Sequence, residues 1–176
     1  MTGRRHEGQA DARENGSLVF GLLDEFAGHH LRLAYEASFE DFARRLGADQ
    51  LKPGYFSMMS MIRNNPGIRQ SELGLSIGRD KSSVAKALRQ LEDMDLIRRE
   101  RVEEDRRNYA SYLTEKGRTT FARMEVQARE HMAHLDRLIG AERRAVFFDV
   151  LHDLIEGCAE DNVVAYRTES DGDASA

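Results

Sequence analysis

The sequence predicts a mainly α-helical protein with one small β-hairpin: a winged helix-turn-helix set between N- and C-terminal helices that serve dimerisation. Three observations carry this expectation. Two short amphipathic segments within residues 70–94 are joined through Gly78. Two strand-like runs, Leu96–Arg99 and Tyr109–Leu113, follow around a charged tip. Long stretches of helical periodicity flank both features.

Residues 1–16 are polar and Gly-bearing, and are expected to be disordered. Residues 17–50 form the first expected unit, a dimerisation helix over Leu18–Leu46. At 100° per residue it has two apolar sides. Val19, Leu22, Phe26, Leu33 and Ala37 share one side; Leu31, Tyr35, Phe39, Phe42 and Leu46 share nearly the opposite one. Such a helix must be covered twice. Gly28 inside it costs stability unless a close contact needs it. His29 and His30 fall on the first side, and Arg32 flanks the second, one turn from Tyr35. Two readings stand side by side. The histidines serve an interface and Arg32 pairs with Glu36 at i+4, or the group lines a cationic, aromatic pocket for an anion.

Pro53 suits the first turn of a helix over Pro53–Asn64, with Phe56, Met59 and Ile62 as its core face. Tyr55 and Met58 lie toward the same pocket, although methionines at this spacing equally suit plain core. Asn64–Gly67 is a turn. The first motif helix, Gln70–Ile77, ends at Gly78, and Asp80 caps the second, Lys81–Met94. Val84, Leu88 and Leu91 give the second helix one apolar stripe. Its other face shows Ser82, Ser83, Lys86 and Gln90, with Arg89 at the margin. Small hydroxyls, long cations and an amide suit a DNA major groove, and the same pattern also suits a solvated surface. In the hairpin tip, Glu103–Asn108, an aspartate beside arginines can hold a guanidinium in a forked pair for the minor groove. Thr114 caps a helix over Glu115–Leu138. The last helix spans Ala141–Asn162, where Phe147, Val150/Leu151, Leu154 and Cys158 mark a helix–helix seam. Residues 166–176 are expected to be disordered.

With these motifs in place, the chain resembles the MarR family of bacterial transcription regulators. The matching residues are Leu51-x-Pro53-x-x-Phe56, Pro66-Gly67, Gln70-Ser71-Glu72-Leu73 and Asp80-Lys81-Ser82. Leu91-Glu92, Asp95-Leu96-Ile97-x-Arg99, Asp105-x-Arg107 and Leu113-Thr114-x-x-Gly117 complete the set. The resemblance covers roughly the middle third of the chain. It implies an obligate homodimer that binds a pseudo-palindromic double-stranded operator and is released by a small ligand. It implies joint action of Asp105 and Arg107 at the wing. It also implies an effector site between the first helix, the next one and the helix after the wing. The chain departs from the family at Arg69, which removes a helix cap but offers a cation to phosphate. It departs again at Arg79, in place of an aliphatic turn residue, and at Gly74, in place of alanine. Gly74 should cost up to ~1 kcal/mol of helix propensity.

The expected organisation is therefore a winged-helix DNA-binding lobe at 51–117 and linker and dimerisation helices at 118–165. The expected DNA contacts are Arg69, Arg79, Lys81, Ser82, Ser83, Lys86, Arg89, Gln90, Asp105, Arg106 and Arg107. The candidate effector residues are His29, His30, Arg32, Tyr35, Phe39, Tyr55, Met58 and Met59, for an aromatic acid or its coenzyme A thioester. With 176 residues and 40% hydrophobic content, the chain has enough apolar material for a core. A net charge of −5 argues against unselective nucleic-acid coating, so binding must rest on local charge arrangement. The single cysteine, Cys158, excludes a disulfide framework within a subunit and a Cys-based zinc cluster. It leaves redox sensing resting on one thiol. His131 and His134 at i, i+3 are too few for a tight metal site. No catalytic constellation, cofactor motif, signal peptide or membrane-length apolar run is present, which implies a cytoplasmic non-enzyme. The remaining alternatives are a redox- or metal-responsive regulator and a winged helix used for protein interaction.

Overall fold

The computed structural model describes residues 18–47, 51–102 and 105–158, with side chains at all of these except 102 and 105–108. A 3₁₀ turn at Gly21–Asp24 precedes α1 (Ala27–Leu46) and α2 (Pro53–Asn64). There follow β1 (Ile68–Arg69), α3 (Gln70–Ser76), α4 (Lys81–Asp93), β2 (Ile97–Val102), β3 (Asp105–Leu113), α5 (Glu115–Ile139) and α6 (Ala141–Cys158). None of the described helices is long and apolar enough to cross a membrane.

The chain divides into two compact units, residues 1–38 and 39–176. In the first, the expected helix start at Leu18 is corrected. Gly21 takes φ 56°, only a 3₁₀ turn forms, and the α-helix begins at Ala27. The His30 Nε2–H donates to the Asp24 carbonyl oxygen at 2.9 Å, and the His29 ring lies 6.2 Å from that of Phe20. Leu18, Val19, Leu22 and Phe26 are exposed in the single chain.

The second unit is built on α2, α3, α4 and α5. Its core holds Met58, Met59, Ile62, Leu73, Val84, Leu88, Leu91, Leu96, Ile97 and Met124, all at most 2% exposed. Each such side chain stabilises the fold by roughly 1.5–3 kcal/mol through burial. Rings join the helices: Phe42 meets Phe56 edge-on at 5.5 Å, Phe56 stacks on Phe121 at 5.3 Å, and the Arg63 guanidinium lies 5.0 Å from the centre of Phe121. The sheet is antiparallel in the order β1-β3-β2. β1 was not expected. Ile68 faces Ser111, and the Gly67 amide donates to the Ser111 carbonyl at 2.9 Å, so β3 is the central strand.

The hairpin is longer than the sequence suggests. β2 runs on to Val102 and β3 starts at Asp105, with an irregularity between Arg101 and Val102. Asp105, Arg106 and Arg107, expected in the tip, have β3 backbone instead. Alternating cross-strand pairs such as Arg101 opposite Tyr109 extend the ladder. Helix α5 enters the lobe tightly. Thr114 Oγ1 accepts from the Gly117 amide at 2.9 Å, and any Cβ at Gly117 would collide with the Leu96 carbonyl. Only a glycine permits that approach.

Candidate nucleic-acid interface

Helix α4 begins at a strong cap. Asp80 Oδ1 accepts from the backbone amides of Ser82 at 3.0 Å and Ser83 at 2.9 Å, and from the Ser82 hydroxyl. These bonds, led by the Ser82 hydroxyl, hold the Asp80 carboxyl well below the usual carboxylate range. The negative cap also complements the positive end of the helix. Val84, Ala87, Leu88 and Leu91 are buried, and Lys81, Ser82, Ser83, Lys86 and Arg89 are exposed. Packing against the core thus turns a face of hydroxyls and cations outward.

Gln90 is different. The Tyr55 hydroxyl donates to Gln90 Oε1 at 2.9 Å, and Gln90 is only half-exposed. Burial pushes the Tyr55 phenol up, so it stays neutral and able to donate. The expectation that Gln90 belongs to the outward face is therefore corrected: it ties α4 to α2. Sequence periodicity could not reveal this, because the partner lies 35 positions away.

Arg69 lies at the start of α3. Its amide donates to Glu72 Oε2 at 2.8 Å, which forms half of a capping box. The arginine side chain has no acceptor with which to complete the other half, so it stays exposed and available. The Arg79 guanidinium crosses above Gly54, where a Cβ would come within 2.8 Å of Nη2. Arg79, Lys86 and Lys52, the last not singled out in the sequence, line one cleft.

On the hairpin, the side chains of Asp105, Arg106 and Arg107 lie outside the described residues. The neighbouring pairs do not. Arg98 is bonded to Glu100 and lies 4.5 Å over the Tyr112 ring. Arg101 Nε donates to the Tyr109 hydroxyl at 3.1 Å, and Arg99 Nε bonds Glu92 of α4 at 2.9 Å. Arg98 and Arg101 were missed in the sequence, where only the strand alternation hinted that they face tyrosines across the ladder.

The candidate effector residues do not all behave as one group. Met58 and Met59 are fully buried core, as the plain reading of a methionine stripe allows. Arg32 is exposed and bonds Glu36 at 2.8 Å, so it is not a buried cation lacking a partner. Tyr35 is exposed, Tyr55 is buried against Gln90, and Phe39 lines the same cleft as Arg79 and Lys86. Cys158, expected in an apolar seam, is exposed at the end of α6.

Comparison with known proteins adds to this geometry. A sequence profile of the MarR family matches residues 51–109. A protein of Thauera aromatica, described as a candidate transcriptional regulatory protein for the hcr operon, is 36% identical over 142 residues. The match covers 80% of this chain and 86% of that protein. The transcriptional repressor CouR bound to a 23-mer DNA duplex superposes with a TM-score of 0.71 at 33% identity, covering 78% of this chain and 98% of that one. CouR bound to p-coumaroyl-CoA gives a TM-score of 0.71 at 31% identity, over 78% and 97% of the two chains.

Proposed function

This chain belongs to the MarR family of transcription regulators, and on that premise we propose that it is a repressor that binds a pseudo-palindromic operator as a two-fold homodimer. Its effector is an aromatic carboxylic acid or the coenzyme A thioester of one. The observation that carries the reading is α4, where buried Val84, Leu88 and Leu91 turn Ser82, Ser83, Lys86 and Arg89 outward behind the Asp80 cap. A helix of this kind, followed by a hairpin, meets the major groove with its first turns and leaves the hairpin for the adjacent minor groove. In this reading Arg69, Arg79 and Lys81 hold phosphates, and Asp105, Arg106 and Arg107 act at the wing.

The dimer follows from uncovered apolar surface. None of the described residues of α6 is fully buried, and Val146, Phe147, Phe148, Val150, Leu154 and Ile155 stand exposed in the single chain. A second copy is the cover that also sets two recognition helices one DNA turn apart. Similarity to CouR supports both the DNA partner and the aromatic thioester. The test is a mobility shift with the protein's own promoter region. Retarded DNA that is released by an aromatic acid or its thioester supports the reading. Failure to retard promoter DNA at micromolar dimer overturns it.

A further inference from the structure

The cleft between α2 and α4 carries a property that DNA binding alone does not explain. It is a cavity of about 220 Å³ lined by Phe39, Lys52, Tyr55, Arg79, Lys86 and Gln90, among others, with no acidic residue among the described lining residues. This is unusual for the chain, which has 31 acidic residues against 26 lysines and arginines. Elsewhere its arginines are commonly held by carboxylates, as at Arg45–Asp41, Arg63–Glu125, Arg99–Glu92 and Arg144–Asp136. Among the described residues, the side chains of Lys52, Arg79 and Lys86 have no such partner. Gly54 leaves room for the Arg79 guanidinium, which lies where a Cβ would otherwise stand. Three like charges brought together without a counter-ion raise one another's energy, and an anion that fills the space removes that cost.

We propose that this cleft takes the phosphate groups of a coenzyme A thioester on Lys52, Arg79 and Lys86, and that effector and operator compete for Arg79 and Lys86. This rests on the regulator reading above and narrows its effector to the thioester. A free aromatic acid brings one carboxylate, enough for one of the three cations. The coenzyme A end brings a diphosphate and a further phosphate, which match several separated cations, and guanidinium and ammonium groups both bind such oxygens strongly. On the α2 side the cleft is lined by a neutral group, the Tyr55 hydroxyl, which donates to Gln90. Arg79 and Lys86 precede and occupy the helix assigned to the operator. A phosphate seated on them withdraws two cations from DNA without any change of fold.

Calorimetry on the full-length protein at low salt tests this with coenzyme A, p-coumaroyl-CoA and p-coumarate as probes. Coenzyme A alone binds, p-coumaroyl-CoA binds more tightly than p-coumarate, and Lys52→Gln and Arg79→Gln each weaken coenzyme A about tenfold, the loss of one charge-assisted contact. With operator present, the apparent Kd of p-coumaroyl-CoA rises in proportion to free operator. No binding of coenzyme A at millimolar concentration, or unchanged affinity in both variants, overturns the phosphate site. A rise that levels off overturns the competition, because it shows protein holding both partners at once. A protein that retards its promoter but ignores coenzyme A loses this inference alone, whereas one that fails to retard any promoter DNA loses the regulator reading.

Discussion

Two single residues decide how the lobe is held together, and in the operator reading a third acts at the wing. Leu88 is fully buried at the centre of α4. Leu88→Ala should cost about 2–5 kcal/mol, read as a lower urea midpoint with an unchanged slope. Gly117→Ala should cost about 1–3 kcal/mol, because its Cβ meets the Leu96 carbonyl, and backbone cannot swing aside as a side-chain tip can. The same denaturation experiment reads it; a midpoint equal to wild type would show that α5 can slide without penalty. In the operator reading, Arg107→Ala should weaken promoter binding by roughly 1–3 kcal/mol in a titrated mobility shift. Asp105→Ala should lose part of that amount by freeing the guanidinium.

Among the elements, the join between the end of α1 and α5 is electrostatic as well as apolar. Asp41 accepts from Arg45 Nε at 2.7 Å, from His131 Nδ1 at 2.9 Å and from Arg44 Nη2 at 3.1 Å, while His131 stacks 5.3 Å from Phe42. The Arg45 bond first, and His131 second, hold the Asp41 carboxyl well below its ordinary range. A carboxyl depressed in the folded state stabilises it fully above the unfolded value, about 3.9. That stabilisation is lost as pH falls through the folded value. Thermal unfolding should therefore drop more steeply below about pH 4 in wild type than in Asp41→Asn, which has no proton to take up. Parallel acid limbs in the two proteins would show that Asp41 does not set the slope. At the other end of the ring stack, Glu125 is held low by Arg129 and then by Arg63, so acid loosens the α2–α5 contact there as it loosens the α1–α5 contact at Asp41.

At the scale of the whole molecule, the described residues leave apolar side chains uncovered at both ends of the chain. Leu18, Val19, Leu22 and Phe26 before α1 and Val146, Phe147, Phe148, Val150, Leu154 and Ile155 on α6 are all exposed. Sedimentation equilibrium at micromolar concentration should give the mass of two chains. Replacing Phe147 and Leu154 together by glutamate should shift it toward one chain and weaken promoter binding in step. A double variant that is monomeric yet binds the promoter with wild-type affinity would separate DNA binding from dimerisation.

The local features were legible in the residues themselves. The Asp80 cap, the Val84–Leu88–Leu91 stripe, the Thr114 cap and the start of α5 depend on neighbours within one or two turns, and hydrogen bonding and periodicity act at that range. The family motifs over 51–117 carried the order of elements for the same reason: each is a local rule. Three features lay beyond such rules. β1 is two residues long, too short for any alternation to show. The hairpin grew because cross-strand pairing, not strand propensity, sets where a ladder stops. Gln90 turned inward, and Lys52 joined Arg79 and Lys86, because the start of α2 meets α4 through the Tyr55–Gln90 hydrogen bond and a shared cleft. The sequence by itself determined which helices form in the lobe and which apolar stripe α4 hides, since a chain's short-range geometry and its water-avoiding residues suffice for that. Only the tertiary structure decided which cations line one cleft with no described carboxylate beside them, because that depends on contacts between segments tens of residues apart.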